Sequence, residues 1–121
     1  MSVGQDSFQS VNSGNKDVCF DIETTGLDPL KDRITAIGIS NGFGEDAIVD
    51  KDEKLILEEF WKAIRARYPY VRLVGFNCWT FDMPFLIIRS LKHRIRIVDM
   101  KSRMIDLRHV LSNGNKYQSG K

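Results

Sequence analysis

The chain has 121 residues, of which 42% are hydrophobic and 28% charged, a length that suits one compact domain and is too short for two full cores. No apolar run approaches the roughly 20 residues that cross a bilayer, and the amino terminus lacks the basic start and apolar stretch of a secretory signal. We therefore expect a soluble, cytoplasmic protein with no membrane partner and, because it has only two cysteines, Cys19 and Cys78, with two buried thiols and no disulfide framework.

The charge is distributed unevenly along the chain. Residues 1–60 carry 13 acids and 5 bases (net −8), whereas residues 61–121 carry 3 acids and 13 bases (net +10). Seven of the bases fall between Arg89 and Arg108, against two acids. This basic segment could follow a phosphate backbone, or it could be an ordinary solvated face.

The amino-terminal half predicts a flexible tail followed by a meander of three strands. Residues 1–16 are rich in Ser, Gly, Asn and Gln and are predicted to be disordered, so that the domain spans residues 17–121. The run from Val18 to Glu23 alternates apolar and polar residues, which predicts a strand with Asp21 and Glu23 on one face. A loop at 24–29, a second strand at 33–40, a turn at 41–44 and a third strand ending near Asp50 follow.

The second half predicts helices and parallel strands. Apolar residues recur at helical spacing from Asp52 onward, with Asp50 and Glu53 spaced as a capping box and Pro69 after the end. Residues 71–76 predict a buried strand parallel to the first. A second helix is predicted from about Thr80, which would be its N-cap, and short strands at 94–98 and 104–107 precede a loop at 113–115. This order predicts an α/β fold in which a mixed sheet is covered by helices.

Asp21 and Glu23 are the first candidates for a chemical role. Two carboxylates on one strand face repel each other unless a cation lies between them, and hard divalent ions prefer oxygen ligands. The alternative is an exposed strand face that merely tolerates acids. The Thr-Gly turn that follows, with Gly26, would let a ligand approach the backbone closely.

Two segments resemble the motifs of a known enzyme family. Phe20 to Leu27 (FDIETTGL) is similar to the first motif of the DEDD, or DnaQ-like, 3′-to-5′ exonucleases, and Gly75 to Leu86 (GFNCWTFDMPFL) is similar to the second. The resemblance is closest to the branch related to the proofreading domain of family B DNA polymerases, to which Met104–Leu107 adds a further element. It covers roughly residues 17–114.

The resemblance implies a ribonuclease H-like fold, with a three-strand antiparallel meander, parallel strands and flanking helices. It also implies hydrolysis of phosphodiester bonds at the 3′ end of single-stranded nucleic acid, with DNA expected over RNA, by two divalent ions (Mg²⁺ or Mn²⁺). Asp21, Glu23 and Asp82 would be the catalytic metal ligands, and Asn77 and Phe81 would help to place the substrate strand. The terminal nucleotide would be received by the four residues Thr24, Thr25, Gly26 and Leu27. Asp106 would either touch the substrate or support the end of its strand.

One part of the family pattern is missing from this chain. The family has a fourth acid preceded by Tyr or His, and no tyrosine or histidine here has an Asp at that spacing. We therefore expect either the amino-terminal part of a longer exonuclease domain, truncated at its carboxyl end, or a short form that binds nucleic acid without efficient cleavage. A haloacid dehalogenase-like phosphatase is a weaker alternative, because its later paired acids are absent. The sequence indicates no oligomeric state.

Overall fold

A five-stranded mixed sheet forms the centre of the protein. The computed structural model describes residues 17–42, 44–67 and 71–112. The strands are β1 (Asp17–Thr24), β2 (Ile34–Ser40), β3 (Glu45–Val49), β4 (Arg72–Gly75) and β5 (Met104–Asp106), and the helices are α1 (Glu53–Arg67) and α2 (Met83–Lys92). The predicted tail at 1–16, the loop at 113–115, Phe43 in the predicted turn and Pro69 after the first helix lie outside the described residues.

The order of the strands is β3-β2-β1-β4-β5. β1, β2 and β3 form an antiparallel meander, while β4 pairs with β1, and β5 with β4, in parallel. This confirms the predicted meander with parallel strands added to one side. It also places the carboxyl ends of β1, β4 and β5 at the same edge of the sheet.

One face of the sheet is packed against the helices. Val18, Phe20 and Ile22 of β1 point into the core, where Phe20 lies 6.3 Å from the ring of Phe60 on α1. The two helices meet where the indole of Trp61 donates a hydrogen bond of 2.8 Å to Ser90. No helix in the ranges that the structure describes is both long and apolar enough to cross a membrane.

The opposite face of β1 carries Cys19, Asp21 and Glu23, all of which are exposed. The predicted burial of both thiols is therefore wrong for Cys19, which is exposed, and right for Cys78, which is fully buried. The alternation that exposes Asp21 also exposes every second residue before it.

The starts of both helices differ from their predictions. Asp52, and not Asp50, caps α1, because its Oδ1 accepts the N–H of Lys54 at 2.9 Å, while Glu53 is turned into the interior. The second helix is preceded by a π-helical turn, Cys78–Asp82, so Thr80 is not its N-cap, although Pro84 does lie in the first turn of α2 as predicted.

The two short strands predicted near the end have different outcomes. Residues 95–100 form no strand, whereas Met104–Asp106 is β5. Residues 107–112 are helical. The isoleucines at 95 and 97 pack on the core from an irregular segment, so their alternation reflects burial without strand pairing.

Candidate active site

Asp82 is brought against β1 by a hydrogen bond to the backbone. The parallel pairing of β1 with β4 ends at Cys19 and Val74. Three residues farther along β1, the N–H of Ile22 donates a hydrogen bond of 3.2 Å to Oδ2 of Asp82. Ile22 lies between Asp21 and Glu23 in the strand. The acid of the second motif therefore lies next to the strand that carries the acids of the first.

Gly38 provides the space in which the Asp21 carboxylate lies. The two residues are paired across β1 and β2, and a Cβ atom on Gly38 would lie 2.5 Å from Oδ1 of Asp21. Real Cβ contacts are essentially never this short. The role of Gly38 depends on the strand register and was not predicted from the sequence, in which the only signal is a glycine inside a predicted strand.

Asp82 is the most perturbed acid of the site. Burial raises its pKa to about 6, and the charges of Asp21 and Asp106 act in the same direction, against the hydrogen bond from Ile22. Burial, and then the charges of Asp106 and Asp82, raise the pKa of the Cys78 thiol to about 11. Negative charge is therefore concentrated at this edge of the sheet.

The turn between β4 and the π-helical turn places Asn77 and Phe81. Asn77 has a left-handed backbone with φ 61°, a conformation that Asn tolerates better than most residues. Its side-chain oxygen accepts a hydrogen bond of 2.9 Å from Arg108 and another from the hydroxyl of Thr80. Phe81 is half-buried, and its ring centroid lies 5.4 Å from that of Phe85.

Asp106 supports the backbone at the end of β5. The carboxylate is buried and accepts the N–H groups of Asn77 at 2.8 Å, Trp79 at 3.2 Å and Arg108 at 3.0 Å. Burial would raise the pKa of Asp106, but backbone hydrogen bonds from Trp79, Asn77, Arg108 and His109 lower it overall. Of the two roles expected for Asp106, the described contacts are those of strand-end support.

The loop after β1 is built around Asp32. Its two carboxylate oxygens accept the N–H of Asp28 at 3.0 Å and the hydroxyl of Thr25 at 3.4 Å. The backbone N–H of Thr25 donates to the carbonyl of Arg33 at 2.9 Å, which closes the base of the loop. A Cβ on Gly26 would collide with the Asp32 carboxylate, so this position needs glycine for the loop to keep its form.

Thr24 and Leu27 complete the loop predicted to receive a nucleotide. The Thr24 hydroxyl donates to the carbonyl of Gly26 at 2.6 Å. Leu27 is 83% exposed, so its side chain is accessible to a ligand.

A buried ion pair lies behind this loop and corrects the predicted basic segment. Arg89 is not a surface base: it is buried and donates three hydrogen bonds, of 2.7–3.1 Å, to the buried carboxylate of Glu53. Glu53 also accepts the N–H of Ile34 at 2.7 Å, and Nε2 of His93 lies 2.8 Å from its Oε1. Arg89 further donates to the carbonyl of Pro29 at 3.3 Å.

The donor chemistry of the three acids suits a hard divalent ion. Within the described ranges, no group of three or more His, Cys, Asp or Glu side chains is arranged to hold a metal ion. Magnesium, however, is usually bound by one or two carboxylates together with waters and substrate phosphates. Asp21 and Asp82 offer two such carboxylates with mutual repulsion that a cation would relieve, and exposed Glu23 lies on the face of Asp21.

Comparisons with known proteins agree on the fold. Residues 18–121 match the model of a family described as RNase_H superfamily. An uncharacterized protein of Methanocaldococcus jannaschii is 38% identical over 103 residues, which cover 83% of this chain and 57% of that protein. The structure of the family B DNA polymerase from the hyperthermophilic archaeon Pyrobaculum calidifontis matches with a TM-score of 0.68 at 20% identity, over 79% of this chain and 16% of the polymerase. The chain therefore spans a little over half the length of its relative and a small part of the polymerase.

Proposed function

The chain belongs to the RNase H superfamily, and on this premise we propose that it is a metal-dependent 3′-to-5′ exonuclease of the DEDD type. Membership of the superfamily supports a nuclease-type function, and the fold shared with a family B DNA polymerase is consistent with the branch that the motifs resemble. The substrate in this proposal is the 3′ end of single-stranded nucleic acid, with DNA expected over RNA.

The observation that carries the proposal is the hydrogen bond between Asp82 and the N–H of Ile22. It joins residues 60 positions apart and brings the acids of two separate motifs to one sheet edge. A structural role alone would not require the side of β1 that carries Asp21 and Glu23 to be acidic and exposed as well.

In this proposal each group of residues has a distinct task. Asp21, Glu23 and Asp82 would hold the divalent ions, which when bound would supply Lewis-acid activation and charge stabilisation for phosphodiester hydrolysis. Gly38 keeps the space for the Asp21 carboxylate. The loop from Thr24 to Leu27 would receive the terminal nucleotide, with exposed Leu27 against its base.

A catalytically incomplete nucleic-acid-binding module of the same fold is the second candidate. The observation in its favour is that, among the residues described, no group of three or more His, Cys, Asp or Glu side chains is arranged to hold a metal ion. In that case the acids would be a relict of the nuclease site, and loss of a metal ligand and of the general base would remove most of the rate.

The two candidates differ in a nuclease assay with Mn²⁺. A single-stranded oligonucleotide labelled at its 3′ end should release the label as a mononucleotide, and a copy labelled at its 5′ end should give a ladder of progressively shorter strands. Binding that retards the strand without shortening it would support the module instead. Release of phosphate from a phosphomonoester would support neither and would indicate a phosphatase.

Matched variants separate the site from contamination. Asp21→Asn should abolish release, since it removes one charged ligand while keeping the size of the side chain. Glu58→Gln, an equal charge change at an exposed position on α1, should leave the rate unchanged. Equal activity of the Asp21→Asn protein would mean that the cleavage comes from another enzyme.

A further inference from the structure

We propose that Trp79, His109 and Arg108 form a binding subsite for the single-stranded segment that leads to the acidic site. This inference rests on the proposed function and assigns it a substrate contact at residues for which the family resemblance implies no role. Trp79 is 38% exposed, and its ring centroid lies 5.0 Å from that of His109.

The three side chains come from two separate elements that one carboxylate holds together. Asp106 accepts the N–H of Trp79 in the π-helical turn and the N–H of Arg108 in the helical residues 107–112 that follow β5. The buried carboxylate of Asp106 thus holds the backbone of the two segments that carry the aromatic pair and the guanidinium. Asp82 is three residues beyond Trp79 in the same turn, so the subsite adjoins the acids of the proposed active site.

Arg108 supplies the positive charge that this region needs. One of its nitrogens donates to the side-chain oxygen of Asn77 at 2.9 Å, and because a guanidinium has five N–H donors, this bond orients the group and leaves donors for a phosphate. Phosphates that approach Asp21 and Asp82 are repelled, so a fixed cation beside their path offsets that repulsion. Arg89, the first base of the predicted basic segment, cannot contribute because it is buried against Glu53.

The aromatic pair suits an unstacked base. Single-stranded nucleic acids bind proteins through charge along the backbone together with stacking of bases on aromatic rings. An exposed indole supported by an imidazole gives such a surface, and an acidic peptide would use the charge but not the rings. The combination of exposed rings and a cation therefore favours a nucleic acid strand over an acidic protein partner.

The intrinsic fluorescence of the protein makes the subsite measurable without any catalysis. Of the two tryptophans, Trp61 is fully buried and bonded to Ser90, so quenching by a ligand reports on Trp79. A 12-residue oligothymidylate added to the full chain in EDTA should quench the emission. Anisotropy of a labelled 12-mer then gives the Kd of each variant.

Two variants test the two contributions separately. Trp79→Ala should raise Kd about tenfold, as expected for loss of one stacked base, and Trp79→Phe should restore most of the affinity. Arg108→Ala should raise Kd and lower the slope of log K against log salt by about 0.7, the value for one phosphate contact on a single strand, whereas Trp79→Ala should leave the slope unchanged. Lys62→Ala, which removes an exposed base of α1 outside the basic segment, is the matched control and should bind as wild type.

The outcomes distinguish this proposal from the proposed function. Quenching and weakened variants in a protein that releases no nucleotide with Mn²⁺ would support the subsite and refute the exonuclease. Two results in a protein that does release nucleotide would overturn the subsite alone. The first is an emission that does not respond to the oligonucleotide. The second is wild-type affinity in Trp79→Ala and Arg108→Ala, so that these variants bind no more weakly than Trp79→Phe and Arg108→Lys. Displacement of the 12-mer by polyglutamate of equal charge, at equal concentration, would also overturn it, because the rings would then have no part.

Discussion

Removing Arg89 should destabilise the protein far more than an ordinary surface substitution. Arg89→Ala deletes three hydrogen bonds, of 2.7, 2.9 and 3.1 Å, to a carboxylate that is itself only 5% exposed. Breaking a buried ion pair on one side costs about 3–5 kcal/mol, because the remaining charge stays buried without its partner. Glu53 keeps the N–H of Ile34 and the ring of His93, so we expect a loss of about 3 kcal/mol.

This expected loss can be compared with the total free energy of unfolding of a small domain. Domains of this kind unfold with a free energy of about 5–15 kcal/mol, and a typical point mutation costs about 1 kcal/mol. Urea unfolding followed by circular dichroism at pH 7 would give the free energy of unfolding of wild type and variant. Arg72→Ala is the control, because it removes an arginine that has an equally short contact, 2.6 Å, with the carboxylate of Asp17, but at a largely exposed position. This variant should leave the unfolding curve almost unchanged.

The charge of Glu53 gives the same pair a pH dependence. Burial would raise the pKa of Glu53, but the hydrogen bonds from Arg89, Ile34 and His93 and the charge of Arg89 lower it overall. A carboxyl group whose pKa is lower in the folded state contributes stability above its unfolded pKa of about 4.3 and loses it as the pH falls through the lowered value. The loss of stability on acidification below about pH 4.3 should therefore be shallower in Glu53→Gln than in wild type.

Two results would refute this reasoning. If Arg89→Ala and Arg72→Ala shifted the unfolding curve equally, the buried pair would have no special weight. If the double variant Glu53→Gln/Arg89→Ala lost as much free energy of unfolding as the two single variants together, or more, the two side chains would not be coupled as the contacts indicate, since the second change should cost less once the partner is gone.

The remaining predictions concern the site and the thiols. Gly38→Ala should displace the Asp21 carboxylate, because the added Cβ would lie 2.5 Å from Oδ1, and both the Mn²⁺ affinity and the nuclease rate should fall at least tenfold. Gly44→Ala is the control and should behave as wild type, since a Cβ there meets nothing within 4 Å. An unchanged Mn²⁺ affinity in Gly38→Ala would contradict the role of Gly38. Of the two thiols, exposed Cys19 should react readily with a disulfide reagent, whereas buried Cys78, with its pKa raised to about 11, should react only on unfolding; equal rates in the native protein would show that the edge of the sheet opens.

The sequence predicted those features that depend on local pattern. The alternation in β1, the meander that follows it and the apolar spacing in α1 each arise from one segment, and each matches the structure. The exposed face of Asp21 and Glu23 follows from the same two-residue period. The motifs also indicated that Asp82 belongs with them, which the contact to Ile22 makes geometrically possible.

The features that were missed depend on contacts between distant segments. Glu53 looked like part of a helix cap and Arg89 like a surface base, because their partnership spans 36 positions and no local pattern encodes it. Gly38 is important only because of the residue opposite it in the neighbouring strand. The predicted strand at 94–98 failed for a related reason: alternation shows which residues are buried, and strand formation further requires a free edge with which to pair.

The 60-residue span of the bond between Asp82 and Ile22 has a consequence for biosynthesis. Contacts of high sequence separation form late, since a long loop must close before they contribute. As the chain leaves the ribosome, the antiparallel meander can form while the acids remain apart, and the cluster of negative charge is created only when β4 docks beside β1. We therefore expect the carboxylates of the two motifs to come together only at a late stage of folding.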